Sequence, residues 1–143
     1  MAEKKVSKKK RPELVTMIGK RKSAIAHAVG RIGTGKIFVN NHSLDSVEPE
    51  AVRLMLKEPI QLAGVIPSGL DINVNVTGGG IFGQAESARQ AIAKVLVAFE
   101  PSLKSTFLEY DRALLVADSR RNEPHKPSRS SAGPRRHKQR SKR

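Results

Sequence analysis

The excess positive charge of this chain lies at its two ends. Residues 1–36 carry eleven lysines and arginines against two acidic residues, and residues 118–143 carry ten against two. The segment between them, residues 37–117, holds six basic and nine acidic residues, although the whole chain has a formal net charge of +14. This distribution predicts a slightly acidic body flanked by two basic arms. Such a chain needs a polyanion as its partner, held by the arms.

Apolar periodicity predicts a single folded domain with a tail at each end. Residues 1–12 are Lys-rich and close at a proline, which is typical of a disordered arm. Residues 13–117 are expected to form the globular body, and residues 118–143 an extended basic tail that Pro and Gly interrupt. A body of this size buries a modest core and is only marginally stable by itself.

Composition excludes several classes of protein. The chain has no cysteine, so disulfides and thiol chemistry are excluded. It has no run of eighteen apolar residues and no apolar signal-peptide core after its basic start, so we expect no membrane association and a cytoplasmic location. All five aromatic residues lie in the body and none in the arms, which favours contacts with phosphate and shape over base stacking.

Four segments are predicted to be strands. Residues 70–77 alternate strictly between apolar and polar, with Asp71, Asn73 and Asn75 on the outer face. Periodicity alone would allow a short helix in residues 23–32, but the glycines at its end favour a strand, followed by a hairpin turn at residues 33–35. The other two strands are expected at residues 14–18 and 36–40, with a turn after the latter.

Three helical segments follow from the apolar spacing. The first is expected to start at a cap on Asp45 or Ser46 and to stop at Pro59. The longest covers residues 84–99, with its polar side chains, among them Arg89, Gln90 and Lys94, facing water. Ser102 caps a third, and apolar residues 113–117 pack onto the body. The element order indicates an α+β two-layer sandwich, with helices on one face of a mostly antiparallel four-stranded sheet.

A phosphate-loop spacing in this chain is misleading. Residues 30–36 match G-x-x-x-x-G-K, but Ile37 follows where Ser or Thr would be needed to hold magnesium. The next residues favour a strand, so no helix N-terminus would face a phosphate. We therefore expect a turn here and no nucleotide-hydrolysing enzyme.

Three successive glycines, Gly78, Gly79 and Gly80, precede the longest helix. They allow either a tight, closely packed strand-to-helix turn or a row of backbone N–H groups facing an RNA phosphate. The same backbone could serve both purposes.

Cations in and around the body are the other candidates for binding. Residues 19–22 are expected to form a basic turn, in which Lys20, Arg21 and Lys22 either face solvent or contact RNA, and RNA contact is favoured in so basic a chain. A nuclear-localisation signal is an alternative reading of the C-terminal tail, but it leaves the other arm unexplained. The remaining cations predicted to bind RNA are Arg31, Lys36, Arg120, Arg121, Lys126, Arg129, Arg135, Arg136 and Lys138.

Neither metal binding nor catalysis is predicted. The four histidines have no metal-like spacing and no cysteine companions, and no nucleophile–base arrangement can be argued from the sequence. We expect no cofactor. A DNA-compacting protein would share the charge pattern but not the Gly-rich motifs.

Several motifs, in order, resemble the ninth small-subunit ribosomal protein family. They are residues 19–28 (GKRKSAIAHA), 33–40 (GTGKIFVN), 78–84 (GGGIFGQ), 88–89, 91–93, 118–123 (DSRRNE) and 139–143 (QRSKR). The short body resembles the archaeal form. Residues 125–132 depart from the family, which usually has an aromatic residue and paired glycines there.

This resemblance implies a fold with a left-handed β-α-β crossover and a place in the head of the small ribosomal subunit. The implied partners are small-subunit ribosomal RNA, neighbouring head proteins and the transfer RNA in the peptidyl site. Ser141, Lys142 and Arg143 would be the tip that contacts the backbone of the transfer RNA anticodon stem-loop.

Overall fold

The structure, a computed structural model, describes residues 12–121. Within them the chain has an α+β fold with a mixed five-stranded sheet and three α-helices. The strands are β1 (Leu14–Arg21), β2 (Ala24–Ile32), β3 (Ile37–Val39), β4 (His42–Ser43) and β5 (Leu70–Thr77). The α-helices are α1 (Glu50–Ala63), α2 (Ile81–Phe99) and α3 (Leu103–Tyr110), and short 3-10 turns cover Leu44–Ser46, Ile66–Gly69 and Arg112–Leu114.

The order of strands in the sheet is β1-β2-β5-β3-β4. β5 is antiparallel to β2 and parallel to β3, and the remaining pairs are antiparallel. The predicted hairpin at residues 33–35 is therefore wrong, because β5 inserts between the two strands that this turn connects. The sheet has five strands instead of four because the two-residue β4 pairs with β3 across Asn40 and Asn41, where both residues have positive φ.

One face of the sheet packs against the helices and forms the core. Ala24, Ala26 and Ala28 of β2 are fully buried there, with the apolar side chains of β5. The backbone of α2 comes so close to β1 that a Cβ on Gly19 would lie 1.9 Å from the Ser87 carbonyl oxygen. The small residues of β1 and β2 are therefore needed to let α2 lie flat on the sheet.

The bounds of α1 differ from the prediction at both ends. Asp45 and Ser46 lie in a 3-10 turn, and the helix begins at Glu50 after an N-cap at Pro49. Pro59 lies inside the helix, which continues to Ala63. The proline ring is buried on the core face, and we infer that this packing outweighs the cost of the missing backbone hydrogen bond.

The polar side of α2 was predicted wrongly. The helix starts three residues earlier than expected, at Ile81, and Gln90 is only 3% exposed. Gln90 accepts a hydrogen bond from the Lys20 N–H (2.9 Å) and donates one to the Ala113 carbonyl (3.4 Å). Lys94 donates to the Ile18 carbonyl at 2.8 Å, and burial, followed by the nearby charge of Lys20, lowers the pKa of its ammonium. These side chains bond β1 and the C-terminal segment instead of facing water.

Arg89 of α2 connects the other helices. Its guanidinium lies 2.7 Å from a Glu58 carboxylate oxygen of α1 and donates to Asp111, after α3, at 2.5 Å. The predicted packing of the segment that follows is confirmed, since Leu114 is fully buried. Ser102 does precede α3, but its side chain makes no capping bond.

Candidate nucleic-acid interface

The first group of predicted binding residues lies where β1 ends. β1 continues through Arg21, so only Lys22 and Ser23 form the turn that was expected over residues 19–22. Lys22 has a φ of 52°, which makes a two-residue connection to β2 possible. The side chains of Lys20 and Lys22 are both exposed, as a role in binding a polyanion requires.

Arg21 differs from its two neighbours because carboxylates of the body already hold it. Its Nε bonds Glu86 of α2 and its Nη1 bonds Asp118, leaving the side chain 18% exposed. Asp118 also accepts from Arg120, at 2.7 Å from Nη2. These bonds hold the pKa of the Asp118 carboxyl well below its usual range, and the bonds from Arg120 contribute most. The cluster fixes the start of the C-terminal tail against the end of β1.

A polar cleft of about 230 Å³ lies beside this cluster, between β1, α2 and the segment after α3. Its lining includes Lys20, together with Arg89 and Arg120 and carboxylates that bind these two arginines. The cleft is thus internally compensated in charge. Within the described part of the chain, the more exposed cations at its rim are better placed to meet an outside anion.

The three glycines lie at the same end of the sheet. Gly78 and Gly79 have φ angles of 76° and 70°, and a Cβ on Gly78 would lie 2.6 Å from the Ser23 carbonyl oxygen. The tight turn predicted from the sequence is therefore present, and it packs against the β1–β2 connection. Gly80 is the N-cap of α2, without a side-chain cap. Whether these amides also bind phosphate stays a prediction.

Arg31 and Lys36 lie at the opposite end of the sheet. Arg31 pairs across the strands with Leu14 and Asp71 and is exposed. The Asp71 carboxylate accepts the backbone N–H groups of Thr34 (2.8 Å) and Lys36 (3.0 Å), and these bonds lower its pKa. Two backbone amides of residues 30–36, the segment with phosphate-loop spacing, thus bind a carboxylate of the chain itself. The strand predicted to follow this segment is present as β3.

The predicted residues therefore form two groups at opposite ends of the sheet instead of one site. Residues 20–22, 78–80, Arg120 and Arg121 lie at one end, and Arg31 and Lys36 at the other. Sequence reasoning missed Glu86 and Asp118 as the residues that anchor Arg21, and no local pattern marks them. The other predicted residues lie outside the described part of the chain: Lys126, Arg129, Arg135, Arg136, Lys138, Ser141, Lys142 and Arg143.

Residues 12–121 contain neither a candidate metal cluster nor a candidate membrane-spanning helix. These residues hold no group of three or more His, Asp or Glu side chains placed to bind a metal ion. None of their helices combines the length and apolar composition that crossing a membrane requires.

Comparisons with known proteins agree with the motifs. The model of the ribosomal protein S9/S16 family matches residues 19–143. The small ribosomal subunit protein uS9 of Methanococcus maripaludis is 47% identical over 131 residues, which are 90% of this chain and 98% of the relative. The protein of the same name from Methanococcus vannielii has the same identity and coverage. Since the family match spans most of the sequence, including the glycine turn and the tail, this chain belongs to the ribosomal protein S9/S16 family.

Proposed function

We propose that this chain is a non-catalytic structural component of the small ribosomal subunit that binds ribosomal RNA. Its relatives carry the name of a small-subunit protein. The observation that carries the proposal is the arrangement at the end of β1, where the Arg21–Asp118 pair brings the start of the tail beside Lys20 and Lys22. Arg120 and Arg121, the first cations of the tail, thus lie at the same end of the sheet as Lys20 and Lys22, where one polyanion can meet all four.

We further propose that the protein lies in the head of the subunit, beside other head proteins, and that its tail reaches the transfer RNA in the peptidyl site. The family resemblance supports these finer points, including a left-handed crossover from β3 through α1 to β5. Ten cations in the tail could enter folded RNA because they neutralise phosphates and release counterions. Arginine offers a forked set of donors for phosphate, and lysine a point charge.

Cosedimentation with small subunits at high salt tests the structural role. A ribosomal component should remain with the subunits, whereas a DNA-compacting protein should be released and should bind duplex DNA equally well. An enzyme that uses ATP would instead show stoichiometric ATP binding that Lys36→Ala abolishes.

Deletion of residues 141–143 tests the contact with transfer RNA. Small subunits carrying the shortened protein should assemble, yet bind transfer RNA in the peptidyl site more weakly by about 1–3 kcal/mol at most, with a salt dependence flatter by roughly two units. Lys104→Gln/Arg112→Gln is a matched control, because it removes two exposed cations from the helical side of the body. Equal transfer RNA affinity in the deletion and the control would refute the role of the tip.

A further inference from the structure

The face of the sheet opposite the helices is uncovered in the described part of the chain. Alternate residues of β1, β2 and β5 point to this open face, and they are exposed or half-buried. Ile18 of β1 is 42% exposed and Phe38 of β3 is 36% exposed. Together the open face comprises Leu14, Thr16, Ile18, Lys20, Ile25, His27, Val29, Arg31, Phe38, Asp71, Asn73, Asn75 and Thr77.

The open face holds a single acidic residue among those the structure describes. Of those in residues 12–121, Asp71 alone belongs to a strand, and its carboxylate is engaged by the amides of the preceding turn. The others lie on the helices, on the segments that connect them, or before and after the folded elements. The open face therefore carries one carboxylate, at the end where Asp71 lies opposite Arg31, and no other acidic residue of the described strands, a distribution that favours an anionic partner over the rest of the face.

Several cations of the helical side are paired with carboxylates of the chain. On the helical side Lys57 lies 2.6 Å from Asp45, and Arg89 is held by two carboxylates. No carboxylate of residues 12–121 forms an ion pair with the cations of β1, β2 and their bordering turns: Lys20, Lys22, Arg31 and Lys36. Positive charge without an ion-pair partner thus lies in and around the sheet, and the exposed Lys104 and Arg112 add positive charge on the helical side.

The two basic arms start at opposite ends of β1. The N-terminal arm leads into β1 at Leu14, and the C-terminal tail leaves the body where Asp118 bonds Arg21. Eight residues of strand separate these points by roughly 23 Å. The described chain therefore enters the body at one end of β1 and leaves it at the other.

We propose that the open face of the sheet is an RNA-docking surface, an inference that rests on the proposed ribosomal RNA binding and specifies where on the body it occurs. Lys20 and Arg31 provide charge for phosphates near the two ends of the face. Asn73, Asn75 and Thr16 provide hydrogen bonds for phosphate oxygens and ribose hydroxyls between them. The exposed apolar side chains supply contact area for the sugars.

Two pairs of variants with equal net charge test this proposal. Asn73→Asp places a carboxylate in the middle of the open face. Gln61→Glu makes the same amide-to-carboxylate change at an exposed position of α1. Ile18→Glu and Leu54→Glu replace exposed apolar residues, 42% and 56% exposed, on the same two sides. The full chain is titrated with a transcript of the head region of small-subunit ribosomal RNA, after circular dichroism has confirmed folding.

We expect each open-face variant to bind the transcript at least tenfold more weakly and each helical-side control to bind within twofold of the unaltered chain. Equal losses in the two members of a pair would show a general charge effect and overturn the proposal. Open-face variants that keep their RNA affinity would overturn it as well, and loss of binding to a small-subunit protein in those variants would identify a protein interface. Failure of the unaltered chain to prefer this transcript to duplex DNA would refute the proposed function itself.

Histidine modification provides a second measurement that needs no variant. His27 lies on the open face, between Ile18 and Asn75, and His42 is an exposed histidine beside α1 and α2. Bound transcript should protect His27 from diethyl pyrocarbonate, read by mass spectrometry, and leave His42 reactive. Unprotected His27 in the complex would contradict docking on this face.

Discussion

Adding a single methyl group at Gly19 should separate α2 from the sheet. A Cβ at this position would lie 1.9 Å from the Ser87 carbonyl oxygen and 2.8 Å from the Ala91 nitrogen, both atoms of the α2 backbone. Because a helix backbone cannot rotate away as a side chain can, the whole of α2 must shift. Overpacking typically costs 1–3 kcal/mol, so we expect Gly19→Ala to lower the free energy of unfolding by about 3 kcal/mol.

Two other glycines give a graded comparison with the same chemical change. At Gly30 the added Cβ would meet the Val95 side chain at 2.4 Å, which can adjust, so Gly30→Ala should cost about 1 kcal/mol. Nothing lies within 4 Å of the Cβ position at Gly69, whose φ is not positive. Gly69→Ala should be neutral or stabilise by up to about 1 kcal/mol, because alanine restricts the unfolded chain.

Urea and thermal unfolding of the three variants measure the series. At roughly 4 °C per kcal/mol for a body of this size, Gly19→Ala should lower the Tm by on the order of 12 °C. A Gly19→Ala variant as stable as Gly69→Ala would refute the close approach of α2 to β1. A loss at Gly30 larger than at Gly19 would show that backbone contact is not what limits the packing.

Two further predictions concern the tail anchor and the core. The folded-state pKa of Asp118 is depressed, so its contribution to stability should be complete above the unfolded pKa of about 3.9 and decline as the pH falls below it. Asp118→Asn should therefore unfold more readily than the unaltered chain at pH 7, with a smaller difference at pH 3; a difference independent of pH would contradict this. Phe107 is fully buried, so Phe107→Ala should lower the free energy of unfolding by about 3–5 kcal/mol. Leu108 is exposed, so Leu108→Ala should change it by no more than about 0.5 kcal/mol in the same urea titrations. Equal losses in the two variants would mean that α3 does not pack as described.

Local patterns predicted those elements whose environment is uniform along their length. The alternation in residues 70–77 gave the bounds of β5 correctly and placed Asn73 and Asn75 on the outer face, because a strand with one buried face has a strict period of two. The choice of a strand over a helix for β2 was also correct. The resemblance to the ribosomal family is confirmed by the family match.

Errors arose where distant segments decide the outcome. The hairpin at residues 33–35 was a reasonable local reading, but β5, more than thirty residues later, takes the place beside β2. Arg89, Gln90 and Lys94 were assigned to water because a helical pattern was assumed to have one packed face. In the fold, α2 contacts the sheet on one side and α1, α3 and the C-terminal segment on others, so those polar side chains are used as internal donors and acceptors.

Formal charge alone also hides how charge is used inside the body. The central segment is slightly acidic, yet many of its carboxylates are bound by cations of the same chain, as in the Arg89 and Arg21 clusters. An arginine bound in this way contributes little attraction for an outside anion, since its field is cancelled at short range. Arg21 is therefore better placed to orient the start of the tail than to bind phosphate, even though it lies in the most basic motif of the body. Attraction for a polyanion falls instead to its exposed neighbours Lys20 and Lys22.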